Sequence, residues 1–188
     1  MTTTNTHTNE AAPLPLVAGH WELDHPHSLV GFSIRHLGVA KVRGRFSSFD
    51  ADVVIGNAPA DCSVVATVDL ASVDTGEPDR DAHIQAEDIL DVARRPSMTF
   101  RSKALTGSEE RWTLTGDLTI GDTTRPLTLD VEFGGVAEFP IDGTRHAGFT
   151  ATGEIRRSDF DIAPGFPAPL LGDIVRIELD LELIEPSD

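Results

Sequence analysis

Tyrosine is absent from this 188-residue chain and cysteine occurs once. A single thiol, Cys62, closes no intramolecular disulfide; it falls in phase with Val64, Ala66, Val68 and Leu70, the setting of a small buried hydrophobe rather than a reactive group. Basic residues are scarce: 15 Lys and Arg stand against 31 Asp and Glu, a formal net charge of −16. Such a field repels nucleic acid, whose phosphates demand a basic footprint, and anionic membrane surfaces as well. There is no run of about 18 apolar residues, so no membrane-spanning helix is expected. Nor is there a G-x-S-x-G, a glycine-rich phosphate loop or a G-x-G-x-x-G, and nothing points to a nucleotide-dependent or acyl-transfer enzyme. The opening MTTTNTHTNEAAPLPLVAG lacks both the basic and the apolar regions of a secretory signal. With no export signal and no disulfide, the cytoplasm is the expected compartment.

What the chain does have is alternation. In the stretch His27–Phe49, residues Val30, Phe32, Ile34 and His36 share one parity, with Ser33 and Arg35 on the other. Successive side chains of a strand point to opposite faces of a sheet, so this reads as a half-buried strand carrying one ionisable ring on its apolar face. The pattern resumes after Leu37-Gly38 through Val39, Val42 and Phe46, which predicts a hairpin or a sharply bent strand pair. A short strand is expected at Trp21–Asp24, and others at about 28–37, 40–55, 62–74, 98–105, 111–120 and 127–133, then at 149–155 and from Val175 to Leu183. Turns are expected at Gly107–Glu110 and Gly121–Thr124, and a loop through Gly134-Gly135 and Pro140–Gly143. In PDRDAHIQAEDILDV the period changes: Ala82, Ala86, Ile89 and Leu90 lie on one helical face, with Pro78, Asp79 and Asp81 suited to its first turn. Residues 1–18, rich in Thr, Asn and Pro, read as a disordered arm, and residues 19–188 as a single domain. Short strands with tight turns imply a mainly all-β, antiparallel sheet, closed as a barrel or folded as a sandwich; about eight strands would enclose a lumen wide enough for side chains or one small ligand.

Candidate chemistry is sparse. His25 and His27 would face one side of a strand and could share an ion with His20 nearby, but Pro26 disturbs the strand and no carboxylate or thiolate has a recognisable ligand spacing. Ordinary turn or surface histidines are the expectation, with no metal and no cofactor. His36 admits three readings: a buried neutral imidazole, a polar contact for a ligand head group, or a catalytic base. Asp24, His27 and Ser28 include the residue types of a hydrolase triad, yet triads are assembled from separate segments around an oxyanion hole. No catalytic residue is assigned.

Several motifs in order carry a resemblance. The run Asp24…His27-Ser28…Phe32…His36…Val42-Arg43-Gly44-Arg45-Phe46…Phe49 resembles the opening signature of the YceI-like, polyisoprenoid-binding family. Arg80-Asp81-Ala82-His83-Ile84, Ile89-Leu90-Asp91-Val92 and Pro96…Phe100-Arg101-Ser102 are similar to its helix and the strand that follows. Gly116–Ile120, Thr124–Leu129 and Arg157-Ser158-Asp159-Phe160 resemble its later motifs, so that the likeness spans about residues 20–185. It departs at Asp161, where the family often has Gly, and in an enlarged loop at Ala163–Pro169; many members also carry an export signal.

The resemblance implies a lipocalin-like, extended antiparallel barrel, partly covered by a helix, whose channel holds isoprenoid or fatty-acyl chains. The expected function is binding and carriage of a polyisoprenoid, isoprenoid quinone or fatty-acyl lipid, without catalysis. Phe32, Ile34, Phe46, Phe100, Trp112, Leu114 and Leu118 would line the tail site, with His36 near a polar feature of the ligand. The alternatives are an enzyme or chaperone of isoprenoid or quinone metabolites and a stress-related structural domain with a filled core. A homodimer would shield the channel mouths, though no sequence feature demonstrates one.

Overall fold

Nine residues of strict alternation from Val175 to Leu183 already demand a sheet with one wet and one dry face, and the computed structural model, which describes residues 14–187, builds it. Its strands are β1 (Gly19–Leu23), β2 (Leu29–His36), β3 (Ala40–Phe46), β4 (Phe49–Ile55), β5 (Ser63–Asp69), β6 (Val73–Asp74), β7 (Ser97–Ser108), β8 (Arg111–Ile120), β9 (Thr123–Glu138), β10 (Arg145–Arg156) and β11 (Leu171–Ile184). One α-helix, α1 (Pro78–Gln85), stands between β6 and β7. The pairings are antiparallel. Eight strands close a ring in the order β1-β4-β5-β7-β8-β9-β10-β11, because β1 pairs with both β4 and β11. Closure removes the free edges that invite aggregation. The expected barrel of about eight strands with one short helix is the architecture that forms.

The three remaining strands explain how the barrel is extended. β11 offers one edge to two partners: its last residues meet β1, while Leu171 to Asp180 meet β2. Between them Pro26 opens a 3₁₀ turn over His25–His27, which breaks the ladder where one partner hands over to the other. β3 and then β6 continue outward from β2, and α1 packs beside β6.

Some sequence expectations are corrected. The strand anticipated over 40–55 is two strands, since Ser47 and Ser48 turn a corner. Ser47 N–H donates to Ser72 O at 3.1 Å and Ser48 N–H to Ser72 Oγ at 3.0 Å, so these amides leave the ladder for the 70–72 turn. That turn likewise divides the strand anticipated over 62–74 into β5 and β6. The helix stops at Gln85, short of Ile89 and Leu90. Arg95 collects the carbonyls of Leu90, Ile89 and Phe160 at 2.9, 3.2 and 2.8 Å, which holds residues 86–91 as a turn and still buries Leu90. Gly134-Gly135 is no loop: β9 runs through it as a bulge, with the register shifting between Phe149↔Phe133 and Gly148↔Gly135. Of the arm anticipated over 1–18, residues 1–13 lie outside the described residues, and Leu14 is buried in one cluster with Trp21 and Ile55.

Two apolar clusters, both flanked by Phe49 and Val131, make up the interior. One gathers Leu70, Val73, Leu90 and Phe160 near the helix; the other gathers Trp21, Leu23, Trp112, Phe133 and Leu183 where β1 closes the ring.

Candidate binding cavity

The inward parity of the strands leaves a cavity of about 490 Å³ inside the barrel. All eight residues expected to contact a ligand line it: Phe32, Ile34 and His36 on β2, Phe46 on β3, Phe100 on β7, and Trp112, Leu114 and Leu118 on β8. The same parity on β9, β10 and β11 adds Leu129, Phe149, Ile177 and Leu179, beyond the residues expected from the sequence. Their alternation was visible in the sequence and would have identified them.

Two inward glycines shape the walls. A Cβ on Gly44 would stand 2.4 Å from Phe32 Cζ, and one on Gly116 would stand 2.6 Å from Phe100 Cζ and 2.3 Å from Arg101 O. Each glycine seats a ring of the neighbouring strand against the wall instead of letting it cross the lumen. Phe32 also lies 5.5 Å from Phe46, ring centre to ring centre, and Phe133 lies 5.3 Å from Phe149, both tilted.

Polar groups reach only the margins, and most are already engaged. Arg157, 5% exposed, spends its guanidinium on five backbone carbonyls: Gly172, Ile162, Ala163, Phe166 and Leu171, at 2.6–3.1 Å. It thereby anchors the Pro-rich loop at one mouth. Arg80 is held by Thr75 Oγ1 and Thr75 O, and His83 by Asp88 while its ring lies 6.1 Å from Phe166. His36 has the inward parity but ends its strand, so it is exposed at the rim; the reading of a buried neutral imidazole is overturned. Cys62 is half-buried in the wall, its sulfur accepting from Gly56 N–H at 3.4 Å.

The clustered histidines separate. His20 meets Asp52 at 3.2 Å and His25 meets Asp50 at 3.6 Å, both at exposed positions, while His27 turns to Asp24 at 2.9 Å. The Asp24 hydrogen bond, then the charges of Asp24 and Glu182, raise the His27 pKa above its ordinary value. Ser28 Oγ accepts from Glu182 N–H rather than facing His27, so no triad is assembled. Among the described residues no helix is long and apolar enough to cross a membrane.

A dry apolar space of this size is costly to maintain. An unfilled apolar lumen forgoes packing contacts along its whole wall. The wall chemistry suits hydrocarbon and offers few hydrogen bonds.

Comparison with known proteins agrees with this geometry. The YceI-like domain model matches residues 21–183. Protein YceI of Escherichia coli is 36% identical over 149 residues, 78% of each chain. The crystal structure of the Campylobacter jejuni YceI protein, 33% identical, superposes with a TM-score of 0.73 and covers 81% of this chain and 90% of that one. A polyisoprenoid-binding domain from Saccharophagus degradans, 16% identical, shares the fold with a TM-score of 0.61 over 88% of this chain and 98% of its own.

Proposed function

The chain belongs to the YceI-like domain family, and from that premise we propose that it binds a long-chain apolar ligand in its lumen and carries it unchanged. The ligand class is a polyisoprenoid, an isoprenoid quinone or a fatty-acyl lipid. The observation that carries this reading is the apolar cavity of about 490 Å³, walled by rings and branched aliphatics and nearly free of unengaged polar groups. Burial of hydrocarbon supplies about 0.8 kcal/mol per methylene, so ten or more buried methylenes outweigh the ordering cost of the tail. With few polar contacts, selectivity among tails is loose and rests on length and width. His36, exposed at the rim, would meet a polar end rather than the tail.

Native purification followed by solvent extraction and mass spectrometry tests this directly. A near-stoichiometric apolar chain is expected, and the delipidated protein should take up isoprenoid or fatty-acyl probes. Phe100→Asp, if it folds, should abolish uptake. An empty extract together with no uptake from either probe panel would return the molecule to a structural domain. Turnover of a bound isoprenoid, lost on His36→Ala with binding intact, would make it an enzyme.

A further inference from the structure

On the outer face of the barrel, four side chains from three segments converge where β1 gives way to β2. Asp24 follows β1, His27 ends the 3₁₀ turn, His146 stands on β10 and Glu182 on β11. Glu182 and His146 point outward because their neighbours Leu183 and Ala147 are buried inside. Backbone bonds hold the segments together: Asp24 N–H donates to Glu182 O at 2.8 Å, and Glu182 N–H to Ser28 Oγ at 3.1 Å.

The other three residues each bring a donor atom close to the Asp24 carboxylate. His27 Nδ1 lies 2.9 Å from Asp24 Oδ2; His146 Nδ1 lies 2.6 Å from Glu182 Oε1 and 3.7 Å from Asp24 Oδ2. Asp24, His27 and Glu182 each place a donor atom within 4.8 Å of the others. The side chains of His146 and Asp24 are only 13% and 11% exposed.

The far side of His146 sets its tautomer. Thr144 Oγ1 donates its hydrogen to Asp142 Oδ1 at 2.7 Å, so it has only lone pairs left for His146 Nε2 at 3.0 Å. Nε2 then carries the hydrogen of the neutral ring, and Nδ1 aims a lone pair at the Glu182 carboxylate. Two acceptors at this distance repel unless they share a proton or both bind one metal ion. A proton relieves one histidine–carboxylate contact. One dication relieves both.

We propose that Asp24, His27, His146 and Glu182 form a binding site for one divalent first-row transition-metal ion of the zinc type. Two imidazole nitrogens and two carboxylate oxygens suit zinc better than magnesium or calcium, which prefer all-oxygen shells. Zinc bonds of about 2.0–2.2 Å set tetrahedral ligand atoms roughly 3.3 Å apart, so on binding the contacts of 2.6 and 2.9 Å would open and that of 3.7 Å would close, each by less than about 1 Å. The two carboxylates match the charge of the ion. Thr144 and Asp142 supply the outer hydrogen bond by which ligating histidines are oriented. The ion would fasten the ring at its seam, where β1 and β11 meet through the pairs Glu22↔Ile184 and Leu23↔Leu183.

The test uses the full chain stripped with a chelator and titrated with Co²⁺ and Zn²⁺ at neutral pH. Expected are one ion per chain, the visible d–d absorption of tetrahedral Co²⁺, its displacement by Zn²⁺, and a Tm that climbs with Zn²⁺ concentration. His27→Ala removes an exposed ring and should weaken binding at least ~10-fold; Thr144→Val leaves all four ligands and should weaken it about 10-fold. A folded wild-type protein with neither a cobalt spectrum nor a zinc-dependent Tm overturns the site. So does full binding in a folded His27→Ala/His146→Ala variant, which would place the ion on exposed His20 or His25. Should that double variant fail to fold, unchanged affinity in both His27→Ala and Thr144→Val overturns it equally.

Discussion

Arg157 shows how much one residue can organise. A buried guanidinium that, among the described residues, makes no salt bridge is sustained only because its N–H groups all find carbonyls. Arg157→Met should lower stability by about 3 kcal/mol, because charge-assisted bonds are lost and carbonyls are left unpaired. Lysine, with three donors on a point charge, should recover only part of it; urea denaturation of the three proteins measures the order, and a lysine variant as stable as wild type would refute the account. This role was not legible in the sequence, since its partners are backbone atoms of a loop that carries no motif. Asp161 was half legible. Its φ of 53° is the left-handed conformation that glycine takes without strain and that aspartate tolerates, which accounts for the departure from the family's usual glycine. The eight residues expected to contact a ligand stand on the cavity wall, but parity could not reveal that His36 sits where its strand runs out. His146 and Glu182 escaped notice, and Asp24 was weighed only with His27 and Ser28, because the three are brought together by pairing across the sheet, a relation that spacing along the chain does not encode.

At the scale of elements, strands with clean alternation were read almost to the residue: β8 spans Arg111–Ile120 as anticipated, and β11 extends its expected core by a few positions. Where prediction and structure part, a tertiary hydrogen bond decides. Ser72 divides the long early strand, Arg95 ends the helix, and a bulge absorbs Gly134-Gly135. The start of β11 is fastened in a similar way, by Asp173, which accepts from Ser158 N–H and from Arg156, each at 3.1 Å. The bonds from Ser158, then Arg156, hold its carboxyl below the ordinary 3.8. A carboxyl lowered by folding contributes stability that is fully present above the unfolded pKa and is lost as pH falls through the folded one. Stability should therefore decline with acidification below about pH 4, and Asp173→Asn should flatten that part of the curve. Parallel acid-melting profiles of the variant and wild type would sink the assignment.

For the whole molecule, alternation and turn spacing narrowed the class to an antiparallel barrel or sandwich, the family resemblance implied the extended barrel, and neither revealed how the extension is built. That one edge of β11 serves both β1 and β2 depends on a turn at Pro26, which in the sequence signals only a break in the strand. The division of the interior has an optical consequence. Both indoles, Trp21 and Trp112, belong to the cluster at the β1 seam, and with no tyrosine in the chain all ultraviolet emission above the phenylalanine band arises there. Trp112 borders the cavity and its ring N–H is tied to Glu109 O at 3.0 Å, so its emission answers to what lies against its face. The protein thus carries its own ruler. A homologous series of tails, added in order of length, should leave the spectrum unchanged until a tail is long enough to touch that indole, and shift it for every longer member.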